Sequence, residues 1–225
     1  MGEHIQITSG DGIEIGAYVA RPSGPAKGGI LVIQEIFGVN GHIREVTDGY
    51  AQSGYLAIAP KIFDRIDKDI ELGYEEADMG QGIELAFQKL NMAQTLSDLQ
   101  AAIDELRREQ DRIGLVGYCF GGLLTWLSAC DLQGVDAAVS YYGGGVVNHA
   151  EKQANCPVMM HFGELDAHIP MTDVEKIRSA QPNVQLFSYD ADHGFNCDHR
   201  ASFNQVAANQ ALERSLEFFA EHLVR

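Results

Sequence analysis

No stretch of the 225-residue chain approaches the roughly 20 consecutive apolar residues that a membrane-spanning helix needs, so a soluble protein is expected. Basic residues are scarce: 16 Lys and Arg stand against 32 Asp and Glu, a net charge of −16. That balance repels a phosphate backbone or an anionic bilayer, so neither nucleic acid nor a membrane is an expected partner. The excess acid reads first as a solubility device. Four cysteines (Cys119, Cys130, Cys156, Cys197) include no Cys-x-x-Cys pair, unlike a secreted disulfide framework or a zinc knuckle, and each is expected to be a free thiol. Neither G-x-G-x-x-G after the first strands nor G-x-x-x-x-G-K-[ST] occurs, which argues against a nucleotide cofactor. No fixed-period repeat or low-complexity tract suggests a solenoid or a disordered chain. The start MGEHIQITSG lacks the basic and apolar regions of a secretory signal, and Gln6 stands where a myristoylation signal would carry Ser or Thr. A cytoplasmic location is therefore expected.

The apolar fraction of 45% and charged fraction of 21% are those of an ordinary globular protein, and the length suits one domain over residues 1–225. From residue 28 onward short β-rich runs alternate with amphipathic stretches, the pattern of an α/β fold with a mostly parallel sheet and helices on both faces. Before that, His4 to Thr8 and Ile13 to Ala20 flank Ser9-Gly10-Asp11-Gly12 and predict an antiparallel hairpin. Buried strands are expected over Gly29 to Ile33, Tyr55 to Ala59, Ile113 to Gly117 and Val158 to Phe162, with two more over Ala137 to Tyr142 and Val184 to Tyr189. Helical spacing links Ile43, Val46, Tyr50 and Ala51, and again Leu96, Leu99, Ile103 and Leu106, the latter helix capped by Thr95 or Asn91. A C-terminal helix is expected over Ala201 to Val224 with Val206, Leu212, Leu216 and Phe219 on one side. Lys61 to Gln81 is acidic, glycine-punctuated and weakly periodic, and reads equally as a lid or a plain excursion.

The sharpest chemical signal is Gly117-Tyr118-Cys119-Phe120-Gly121-Gly122. It follows a buried strand and precedes a helical run, Leu123 to Cys130, which is the setting of a nucleophile elbow with cysteine in the serine position. So tight a turn strains its central residue and leaves no room for side chains two positions before and after it. A helix starting at once behind Cys119 favours its thiolate. A base and an orienting acid should follow in the order nucleophile, acid, histidine. Asp166, in the loop after Val158 to Phe162, is the preferred acid, with Glu164 the second choice. His193, in Asp190-Ala191-Asp192-His193-Gly194-Phe195, is the preferred base over His168, His161 (inside a strand) and His199 (at the start of the last helix). The cluster His193, Cys197, Asp198 and His199 admits a zinc reading, but no second ligand pair accompanies it and His193 is already used. No metal and no organic cofactor is expected. A carboxylate such as Glu35 at the end of a buried strand is costly unless paired or wet, which makes it a further site candidate.

These residues resemble the dienelactone hydrolases, a cysteine branch of the α/β-hydrolase fold, over nearly the whole chain. The carriers are Gln34-Glu35-Ile36-Phe37-Gly38, Gly114 through Gly122, Tyr141-Tyr142-Gly143, Gly163 to Asp166 and His193-Gly194-Phe195. The resemblance implies a triad of Cys119, Asp166 and His193. It also implies a catalytic Glu35 that contacts the cysteine at rest and releases it when substrate enters. The oxyanion hole would be formed by the backbone N–H groups of Ile36 and Phe120. Attack on a small-molecule ester or lactone would then give a thioester that water hydrolyses. Tyr142 is a candidate substrate contact. Family members that act on dienelactone hold its carboxylate with two arginines; here Cys197 occupies one of those positions and Gly73 to Lys89 has no arginine, leaving Arg200 and Arg65 as candidate substitutes. A monomer or weak homo-oligomer is expected. Two competing readings are a non-catalytic binding protein on a hydrolase scaffold and an amidotransferase-like cysteine hydrolase. The latter usually carries its histidine and acid as a close pair, unlike Asp166 and His193.

Overall fold

The computed structural model describes residues 2–224; Met1 and Arg225, the two ends of the expected 1–225 domain, lie outside the described residues. The N-terminal hairpin forms as expected, β1 (Glu3–Thr8) pairing antiparallel with β2 (Glu14–Ala20). Five apolar runs become strands buried at every position: β3 (Gly29–Ile33), β4 (Leu56–Pro60), β5 (Ile113–Tyr118), β6 (Ala137–Tyr141) and β7 (Val158–Gly163). Such runs lack polar alternation because helices cover both faces of the sheet. β8 (Gln185–Tyr189), at the edge, is largely half-exposed. Among the described residues the sheet has eight strands in the order β1-β2-β4-β3-β5-β6-β7-β8, parallel from β4 to β8.

Among the described residues six α-helices accompany it: α1 (Gly41–Gln52), α2 (Glu76–Glu84), α3 (Met92–Arg107), α4 (Phe120–Asp131), α5 (Met171–Ala180) and α6 (Gln205–Leu223). Side chains alternate across a strand, and β5 shows the two layers. A Cβ on Gly114 would meet Phe219 and Leu223 of α6, whereas one on Gly117 would meet Gly121 and Thr125 of α4. Tyr50 of α1 meets Phe219 edge-on, which joins α1 to α6. Of the two caps considered for α3, Asn91 fills the place, its side chain accepting the Gln94 N–H at 3.2 Å. Among the described residues no helix is long and apolar enough to cross a membrane.

Two expectations are corrected. The stripe Val206, Leu212, Leu216 and Phe219 is not the buried face of α6, since Val206 is 66% and Leu212 42% exposed. Ala207, Ala208, Ala211, Ser215, Phe218, Phe219 and Leu223 face inward, so Phe219 is the buried member of the expected stripe. Small residues let α6 approach the sheet closely, and three alanines give a hydropathy signal too weak to orient the helix from sequence.

The second correction concerns Arg65. Residues 61–81 contain a 3-10 turn (Ile62–Arg65) with Ile62 and Phe63 buried, a bridge from Gly38 to Glu71, and a Leu72 N–H bond to Phe37 at 2.9 Å. These contacts pin the first half of the segment. Arg65 is committed to carboxylates on α3 and in the hairpin turn: its guanidinium donates to Asp98 Oδ1 at 2.7 Å and to Asp11 Oδ2 at 2.8 Å. Asp98 is wholly buried, so it needs a charged partner to avoid a large desolvation cost. Replacing it should strand the Arg65 charge. Asp98→Ala is expected to lower unfolding stability in urea by about 3 kcal/mol; an unchanged urea midpoint would contradict the pairing with Arg65.

Candidate active site

From β3 the chain runs to β4 on one side and returns to β5 on the other, so a crevice opens beyond the C-terminal ends of β3 and β5. Glu35 leaves β3 at this point and Cys119 leaves β5. Cys119 adopts φ 56° and ψ −115° and is the residue on which α4 begins, so the helix starts three residues earlier than its apolar pattern suggested. A positive φ at a non-glycine residue stores strain, of order 1–3 kcal/mol. The surrounding packing enforces it. A Cβ on Gly117 would fall on the Gly121 carbonyl, and one on Gly121 would fall on the carbonyls of Ile33 and Gln34. With both positions reduced to glycine, α4 packs directly onto the ends of β3 and β5 and its N-terminal dipole is brought to the Cys119 sulfur.

His193 and Asp166 arrive from loops after β8 and β7. Asp166 Oδ2 lies 2.7 Å from His193 Nδ1, while Oδ1 accepts the N–H groups of His168 at 2.8 Å and Ile169 at 3.1 Å. Burial raises the Asp166 carboxyl, but the bond and charge of His193 and these two amides bring it below its ordinary value. Glu164, the other acid considered, is exposed and accepts from Ser188 at 2.6 Å. On its other side His193 interacts with Cys119. Burial disfavours the imidazolium, yet the interactions with Cys119 and the Asp166 carboxylate outweigh it and push the ring up to about 10. The remaining histidines go elsewhere. His161 is buried between Tyr189 and Ser215 and lowered to about 3, chiefly by burial. His199 lies before α6, bonded to Glu45 at 2.8 Å. His168 meets the His193 ring edge-on at 5.5 Å.

Glu35 is completely buried and its charge is met by Arg200, whose Nη1 donates to Oε1 at 3.2 Å; the Tyr74 hydroxyl approaches Oε2 at 3.4 Å. The Arg200 guanidinium also lies over the rings of Phe37 and Tyr74, 5.7 and 5.8 Å from their centroids. Arg200 thus reaches the site that Arg65 does not. A cavity of about 420 Å³ opens here, lined by Cys119, His193, Arg200, Ile36, Phe120 and Leu123 among others. The Ile36 and Phe120 backbones both border it beside Cys119, and among the described residues neither N–H is given to a protein acceptor. Tyr142 does not line the cavity. It is fully buried with φ 38°, its ring 5.1 Å from His193 and its hydroxyl without a partner. That position supports the histidine from behind, and the expected substrate contact is corrected accordingly.

The four-residue cluster considered for zinc separates, because His193 turns to Asp166. Cys197 joins Glu35 and His42, all buried, while Asp198 and His199 join His42 and Glu45; within each group the donor atoms lie within 4.8 Å of one another. By donor type either group could hold a transition-metal ion. Here His42 Nδ1 faces Asp198 at 3.4 Å and Glu35 is engaged by Arg200. Sequence reasoning missed His42, Tyr74 and the cavity wall formed by Met79, Ile83 and Phe87. The wall had a signal, the i, i+4, i+8 spacing of those three side chains, hidden within a segment that straddles two elements.

The sequence pattern described as the dienelactone hydrolase family matches residues 15–223. A Synechocystis sp. protein provisionally named carboxymethylenebutenolidase is 38% identical, over 94% of this chain and 93% of its own length. The carboxymethylenebutenolidase of Pseudomonas putida is 33% identical, over 97% and 96%. A crystal structure from Klebsiella pneumoniae subsp. pneumoniae, provisionally described as a dienelactone hydrolase, superposes with a TM-score of 0.88 at 33% identity, covering 99% of both chains.

The His193 environment makes a pH prediction. Because its folded value is raised above the ordinary 6.5, the imidazolium contributes stability that is fully present below about pH 6.5 and is lost as pH rises through about 10. NMR titration of the ring should show a midpoint well above 6.5. A midpoint near the ordinary value would contradict the placement of His193 between Asp166 and Cys119.

Proposed function

The chain belongs to the dienelactone hydrolase family and is a carboxylic ester or lactone hydrolase, and from that premise we propose that Cys119 is its nucleophile, with His193 as acid and base and Asp166 as the group that orients His193. The observation that carries the reading is the placement of His193, 2.7 Å from Asp166 on one side and interacting with Cys119 on the other. No amidotransferase-like arrangement is needed, since the acid and histidine come from separate loops.

In this reading the attacking pair is a Cys119 thiolate beside a His193 imidazolium, formed as the thiol proton passes to His193 once Glu35 has released the cysteine. The sulfur attacks the carbonyl carbon, and the carbonyl electron pair moves to an oxyanion held by the N–H groups of Ile36 and Phe120. Collapse expels the alkoxide, which takes the proton from His193, and leaves an acyl group in thioester linkage to Cys119; a lactone opens its ring at this step. Neutral His193 then accepts a proton from water as that water attacks the thioester, and the carboxylic acid departs with the thiolate restored. Asp166 keeps Nδ1–H directed at itself, so that Nε2 faces the reaction in both half-cycles. Glu35 is the further member implied by the resemblance. Its carboxylate is turned toward Arg200 and Tyr74, which fits the arrangement expected once the cysteine has been released.

The test is kinetic. Cys119→Ala should abolish turnover of p-nitrophenyl acetate while circular dichroism and cooperative unfolding persist, and Asp166→Asn should lower kcat by roughly 10³–10⁴-fold by freeing the wrong tautomer. Undiminished activity in folded Cys119→Ala would remove the cysteine from the mechanism.

A further inference from the structure

Met79, Ile83 and Phe87 recur every four residues along α2 and the π-helical turn (Leu85–Lys89) that continues it, and all three line the cavity that holds Cys119. Ile83 is 43% and Phe87 60% exposed, and with Met79 they line one cavity instead of lying scattered over the surface. The π turn widens the helix where Phe87 departs, and such turns concentrate at functional sites. Phe87 meets the Phe120 ring edge-on at 5.2 Å, so the apolar wall continues to the residue whose N–H faces the reacting carbonyl. Ile36, Phe37 and Leu123 extend it on the other sides.

The charge inside the cavity points the same way. Arg200 is the one Lys or Arg among the described residues that line it, and its guanidinium is already committed to the buried Glu35 carboxylate; His149, His168 and His193 line it too, with His193 engaged by Asp166 and Cys119. A substrate carboxylate that reached Arg200 would have to share the guanidinium with Glu35, placing two like charges side by side in a poorly solvated site. The net charge of −16 adds a repulsive field to any anion approaching from outside.

We propose that the Met79–Ile83–Phe87 wall selects esters or lactones whose acyl or alcohol group is uncharged and apolar, and that these three side chains set that specificity. The proposal rests on the hydrolase reading above and deepens it. It is tested by comparing kcat/KM for p-nitrophenyl heptanoate with that for the nearly isosteric mono-p-nitrophenyl ester of adipic acid, which carries a free carboxylate, in the wild type and in Phe87→Ala and Ile83→Arg. The wild type should favour the heptanoate by about 10-fold or more. Phe87→Ala should cut the heptanoate-to-acetate preference by about 10-fold, and Ile83→Arg should shift the ratio toward the adipate half-ester. Ile83 and Phe87 are exposed, so both variants should fold, which thermal unfolding would check. Equal or faster turnover of the half-ester by the wild type, or unchanged selectivity in both folded variants, would overturn this proposal and leave the hydrolase reading standing. No turnover of any of the three esters would overturn the hydrolase reading, and this proposal with it.

Discussion

A strand and a helix can meet as closely as β5 and α4 do only if the residue between them accepts a positive φ and the positions flanking it carry no side chain. Gly117 and Gly121 meet the second condition, and the contacts of α4 with the carbonyls of Ile33 and Gln34 impose the first on Cys119. The same contact places the ends of β3 and β5 side by side at the point where strand order reverses. Glu35, the Ile36 backbone, Cys119 and the start of α4 are therefore gathered by one packing constraint. Relaxing the turn would loosen all of them together.

Around that turn, charge is buried in matched sets. Asp166 has His193 and two backbone amides, Glu35 has Arg200 and Tyr74, and Asp98 has Arg65. An unpaired carboxylate at any of these positions would cost several kcal/mol, so the fold tolerates them only as sets. The first set fixes the histidine that faces the cysteine. The second places a cation in the cavity wall and cancels most of its attraction for anions. The third ties the connection after β4 to α3 and to the N-terminal hairpin.

What the sequence disclosed follows from the range of each interaction. The hairpin, the central strands and the elbow are governed by neighbours in the chain, and runs such as Gly29 to Ile33 or Gly117 to Gly122 carry their own evidence. Chain order points to the loop after β7 for the acid, which holds both Glu164 and Asp166, and the structure places Asp166 against His193. The two arginines behave differently because nothing local distinguishes them: which carboxylate each meets depends on loops from distant parts of the chain, so Arg200 enters the cavity and Arg65 does not. Tyr142 was drawn toward the substrate by its neighbours in the motif, but its positive φ turns the ring under His193. The face of α6 was misread because alanines bury by allowing closeness, which a hydropathy pattern cannot register. The apolar wall was overlooked because its three residues span the join between a helix and a π turn.

The central claim is that the carbonyl carbon of an ester becomes bonded to the sulfur of Cys119. Acid quenching of the enzyme during turnover of a slowly deacylating aryl ester, followed by peptide mass mapping, tests it most directly. The account predicts one acyl group per chain, carried by the peptide containing Cys119 and released by neutral hydroxylamine as a thioester should be. An acyl group on a different residue, or steady turnover with no acylated peptide under conditions where deacylation is rate-limiting, would contradict it.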